Sequence, residues 1–84
     1  MDYKVKTRVV LRSGSYENLM STYTSVHEAT EAKKRLIADI NKAMSQGDNL
    51  TLVGDKGDTL QLSIDEIAAV KVTLREVKNK EDDD

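Results

Sequence analysis

Eighty-four residues with no Cys, Phe, Trp or Pro form one small domain whose core must come from Val, Leu, Ile, Ala and Met; Tyr3, Tyr16 and Tyr23 are its whole aromatic supply. The missing cysteines exclude disulfide staples and thiolate metal sites, and no apolar run has the length of a membrane span, so a cytoplasmic protein with no membrane role is expected. Thirteen basic and fifteen acidic side chains give a net charge of −2; setting aside Glu81, Asp82, Asp83 and Asp84 leaves 13 basic and 11 acidic, a body charge of +2 and no strong field towards any partner class.

A chain this short buries only about 60–65% of the surface its unfolded form exposes. Small domains with thin cores commonly gain stability by associating, so a homodimer stands as an alternative to the monomer.

Residues 3–12 alternate. Tyr3, Val5, Thr7, Val9 and Leu11 fall on one face, and Lys4, Lys6, Arg8, Val10 and Arg12 on the other. Period two predicts a strand with one buried face. Ser13-Gly14-Ser15 reads as a turn, and residues 16–24 return as a second strand with Val9 opposite Leu19 and Val5 opposite Tyr23. Ser25 and Glu28 have the spacing of a capping box, and Gly47 stands where a left-handed residue closes a helix. Between them Ala29, Ala32, Leu36, Ile37, Ile40, Ala43 and Met44 recur at three- and four-residue steps, one apolar stripe. On the opposite surface Glu31, Arg35 and Asp39 are spaced for ion pairs across one turn.

Residues 49–53 and 59–64 form a second hairpin. Asp55-Lys56-Gly57 suits a type I turn closed by a left-handed Gly, and that loop sets Leu52 opposite Leu60 and Leu50 opposite Leu62, so loop chemistry and apolar register agree. Asp65-Glu66 makes a tight connection capped by Ser63, and residues 67–77 supply the last strand, with Val70, Val72 and Leu74 opposed to Lys71, Thr73 and Arg75. From Lys78 the chain is charged with nothing to bury, so residues 78–84 read as a solvated tail. The fold class is α+β, β-β-α-β-β-β over residues 1–77, with one helix packed on a small, mostly antiparallel sheet. The sheet's other face carries the polar side of the strands and is the place to look for function.

Each chemical suggestion has a plainer rival. Lys4, Lys6, Arg8 and Arg12 in a row suggest phosphate contacts, but sheet faces that bind single strands add aromatic platforms, and only Tyr16 is available to share that face. His27, with no Cys and no second His, builds no transition-metal site. Asp55 and Asp58 around Gly57 lack the further ligands of a calcium loop. Gly54-x-x-Gly57 joins two strands and opens no helix, so it does not cradle phosphate. No stretch carries a family signature, and no catalytic constellation, cofactor or metal is expected. The reading favoured is a small non-enzymatic module that binds an unknown protein partner or a second copy through Arg8, Val10, Arg12, Lys71, Thr73 and Arg75, Val10 being the apolar residue in a basic row. The alternative is nucleic-acid binding by Lys4, Lys6, Arg8 and Arg12.

Overall fold

A computed structural model describes residues 2–77, Lys56 by its backbone only; the expected tail lies outside them. The order is β1 (Asp2–Leu11), β2 (Tyr16–Tyr23), α1 (Val26–Gln46), β3 (Leu50–Val53), β4 (Thr59–Leu62) and β5 (Ile67–Val77), with short 3-10 turns at Asp55–Gly57 and Ile64–Glu66. The strands form two antiparallel sheets, a three-stranded one in the order β2-β1-β5 and the β3-β4 hairpin. This is the α+β arrangement expected, one helix against a small antiparallel sheet.

The first hairpin departs from the expected register by two residues. Val9 stands opposite Glu17, Thr7 opposite Leu19 and Val5 opposite Ser21. Gly14 sets this. With φ at 100° it takes the last place of a three-residue loop over 12–14, which the Leu11 N–H closes on the Ser15 carbonyl at 2.8 Å. A type I turn followed by a left-handed residue puts its glycine last, the rule that places Gly57 in the other hairpin. Because the slip is even, every side chain that stays in the two strands keeps its face. Arg12 does not stay. It leaves the strand for the turn, where its N–H donates to the Glu66 carbonyl at 2.9 Å.

The helix has both expected boundaries. The Glu28 N–H donates to Ser25 Oγ at 3.2 Å, and Gly47, at φ 72°, closes the other end with its N–H on the Ala43 carbonyl. The apolar stripe divides, however. Ala29, Ile40 and Ala43 are buried, whereas Ile37 and Met44 remain 38% and 44% exposed. Ile40 and Ala43 meet Val9, Leu50, Leu52 and Ile67 in the core, so the helix binds both sheets together. On the outer surface Glu31 reaches Lys34 at 3.9 Å rather than Arg35, an exposed pair that adds little.

The second hairpin holds the expected register, Leu50 opposite Leu62 and Leu52 opposite Leu60. Its tip closes the outer edge of β2. The Asp55 carboxylate accepts from Thr22 Oγ1 at 2.8 Å and from the Thr22 N–H at 3.3 Å, satisfying an edge amide that no strand pairs. Gly54 permits the approach, since a Cβ there would lie 2.9 Å from the Met20 carbonyl oxygen. Asp55→Ala should therefore cost about 1.5 kcal/mol, the lower end for a hydrogen bond to a charged acceptor because the site is exposed. Thr22 amide exchange should accelerate with it; unchanged exchange would show that the clasp does not hold in solution.

Candidate interaction face

The sheet face turned away from the helix is built by alternation along three strands. From β1 come Lys4, Lys6, Arg8 and Val10; from β2, Tyr16, Asn18, Met20 and Thr22; from β5, Ala69, Lys71, Thr73 and Arg75. Register makes them neighbours: Arg8 lies between Asn18 and Lys71, Lys6 between Met20 and Thr73, and Val10 between Tyr16 and Ala69. Five cations thus share one face, and among the described residues the acid that occupies one of its positions is Asp2, at the far end.

One end of the face is apolar and ordered. Tyr16 is 55% exposed, and the Arg8 guanidinium carbon lies 4.4 Å from its ring centroid, a cation–π contact. Arg8 Nε also donates to Asn18 Oδ1 at 2.9 Å. The long side chain is thereby fixed against the sheet before any partner arrives. Val10 and Ala69 continue the apolar end beside Tyr16. Towards the other end are two shallow depressions, one of about 110 Å³ lined by Lys6, Arg8, Lys71 and Thr73, the other of about 140 Å³ lined by Lys4, Lys6, Met20, Thr73 and Arg75. Lys4 and Arg75 have contacts of their own, which leaves Lys6, Arg8 and Lys71 as the cations at the centre of the face.

Of the residues singled out in sequence, Arg8, Val10, Lys71, Thr73 and Arg75 come together here, with Lys4 and Lys6. Arg12 does not join them, because the earlier turn takes it off the strand. Tyr16 joins the face as a partner of Val10 and Arg8. Asn18, Met20 and Ala69 were not singled out, and their signal is faint: the alternation of β2 is weak, and Ala69 is a small residue with no chemistry of its own. His27 is exposed in the first turn of α1. Among the described residues no three His, Cys, Asp or Glu side chains gather as metal ligands, and no helix is long and apolar enough to cross a membrane.

Beside the helix a cleft of about 180 Å³ opens between Leu19, Ser21, Arg35, Asp39 and Leu52, with the buried Thr7 in its lining; Arg35 and Asp39, expected on the outer helical surface with Glu31, border this cleft instead. It is smaller than the roughly 300–1,000 Å³ usual for small-molecule sites. No protein-family model matches the chain, and no curated protein and no solved structure matches it either.

Proposed function

We propose that the protein is a non-enzymatic binding module whose sheet face turned away from the helix docks an acidic protein partner. The observation that carries this is the juxtaposition of an apolar end (Val10, Tyr16 and Ala69) with Lys6, Arg8 and Lys71 on one face. Protein interfaces favour this composition, an aromatic and an arginine beside an apolar spot within a polar rim. Arg8 strengthens the reading, because a guanidinium already held by Tyr16 and Asn18 loses little freedom on binding. The cleft beside the helix, at about 180 Å³, is small for a substrate site, which favours binding over catalysis.

The second reading, nucleic-acid binding, is favoured by the number of cations. Against it stands the aromatic supply: the face offers one ring, at its corner, and Arg8 already lies over it. Bases would have no free platform on which to stack.

The two readings separate on variants and salt, with a peptide of alternating Glu and Leu and a mixed-sequence single-stranded oligonucleotide as probes. Val10→Asp should weaken the peptide by roughly tenfold or more, about 1.4 kcal/mol, while the oligonucleotide binds poorly throughout. Tight oligonucleotide binding would overturn the proposal, especially with a log–log salt slope near −3.5, the value for about five phosphate contacts to a single strand.

A further inference from the structure

A second surface lies at the edge of the sheet. Strand β5 is eleven residues long and pairs on one side with β1; among the described residues no strand lies on its other side. The opposite edge of the sheet is closed by Asp55 on Thr22 and by the approach of Gly54. Among the described residues no side chain clasps the outward backbone groups of Val70, Val72 or Leu74 in this way, and β5 contains no proline.

The hydrogen bonds fix which β5 groups are free to pair. The Leu11 N–H points to β2, on the Ser15 carbonyl, and the Arg12 N–H points to the β5 side, on the Glu66 carbonyl. Alternation then directs the even-numbered residues of β1 towards β5. Arg8 with Lys71 and Lys6 with Thr73 are therefore hydrogen-bonded pairs, and Val70, Val72 and Leu74 turn their N–H and C=O groups outward. Just above them runs a groove of about 220 Å³ lined by Ile37, Ile40, Asn41, Val70 and Val72. Ile37 and Met44, the residues of the helical stripe left exposed, stand on this helix, seven residues apart.

We infer that the occupant of this edge is a second copy of the chain, paired β5 to β5 about a two-fold axis at Val72. The strand is self-complementary in that register and not in its neighbours. Val72 is the midpoint of Ile67–Val77, so the whole strand pairs, with Val72 opposite Val72, Val70 opposite Leu74, Lys71 opposite Thr73 and Ala69 opposite Arg75. An axis at Lys71 would put Lys71 directly opposite itself, and one at Thr73 would put Lys71 opposite Arg75; like charges in direct opposition destabilise an antiparallel pair. An axis at Leu74 avoids that but sets Val72 against Glu76. At Val72 apolar residues meet apolar residues beneath the two helices, and the grooves join over the axis. The product is a six-stranded antiparallel sheet with both helices on one face. The other face is a continuous basic surface. On it Lys71 remains diagonal to its own copy at about 7–8 Å, within the screening length of dilute salt, so salt strengthens this dimer. The inference stands independently of what the basic face binds.

Sedimentation equilibrium at two salt concentrations, paired with amide hydrogen exchange, tests it. The expected result is a dimer tighter in high salt, in which the outward amides of Val70, Val72 and Leu74 are as protected as those of Lys71 and Thr73. Val72→Pro removes an outward donor without touching a β1 bond, as proline is tolerated at a free edge, and should give a folded monomer. Should that variant not fold, Ile37→Lys, at an exposed helical position, should raise the dimer dissociation constant roughly tenfold or more. A wild-type monomer at the concentrations of an NMR sample overturns the inference. So does a dimer whose outward amides exchange freely, a folded Val72→Pro dimer, or an Ile37→Lys variant that associates like the wild type.

Discussion

Ile40→Ala should nearly unfold this domain, while Ile37→Ala, one turn earlier on the same helix, should barely disturb it. Ile40 is 5% exposed and touches the shared core of both sheets through Val9, Leu50, Leu52 and Ile67. Truncating a buried isoleucine costs about 2–5 kcal/mol in transfer and cavity terms. A domain of this length has roughly 4–13 kcal/mol in total, so the loss is a large share of what holds it folded. The site cannot easily collapse, because helix and hairpin meet there and no aromatic residue is at hand to fill the gap. Ile37, 38% exposed, removes little from the core when shortened, and less than about 1 kcal/mol is expected for the monomer. Urea denaturation of both variants at a concentration that keeps the chain monomeric checks the contrast. Equal losses would mean that the helix is rotated from the orientation described.

Gly54→Ala is the second large effect. Its φ of −114° suits any residue, so the cost comes from contact rather than backbone strain. The added Cβ would lie 2.9 Å from the Met20 carbonyl oxygen and 2.9 Å from Leu19 Cγ. Leu19 has rotamers to give; the carbonyl belongs to β2 and does not. Overpacking of this kind costs about 1–3 kcal/mol, lowering the melting temperature by roughly 4–8 °C for each kcal/mol in a domain of this size. The hairpin tip should lift from β2 first, freeing Thr22 from Asp55. Hydrogen exchange that accelerates at Thr22 while β1 stays protected would identify that route, and an unaltered melting temperature would refute the close approach.

These two residues also show where sequence ran out. Period two along β1 and period 3.6 along α1 place most side chains on the correct face, because each pattern is a local consequence of strand or helix geometry. The helix ends were legible from Ser25, Glu28 and Gly47, which bond within a few residues of themselves. Ile37 and Ile40 looked equivalent because one apolar stripe records which residues are apolar, not how wide the sheet beneath it is; a three-stranded sheet covers Ile40 and leaves Ile37 beside its edge. Gly54 looked like ordinary turn punctuation, since its neighbour Met20 lies more than thirty residues away in the chain. The register of the first hairpin was legible but misread. Gly14 last in its loop, as Gly57 is in the other, gives Val10 opposite Tyr16 and removes Arg12 from the basic row. With that pairing Tyr16, Arg8 and Val10 become a cluster, and the candidate face changes from a line of charges to cations around an apolar end.

The most direct test of that face is a map of backbone amide shifts as the acidic Glu–Leu peptide is added, first in dilute and then in high salt. The proposed docking predicts movement at Val10, Tyr16, Ala69 and Lys71 with α1 unmoved, and high salt should weaken the binding without abolishing it, because Val10 and Tyr16 contribute apolar contact that salt does not screen. Shifts confined to α1 and the cleft around Arg35 and Asp39, or a response at Lys6 and Lys71 that vanishes in salt with Val10 and Tyr16 silent, would contradict it.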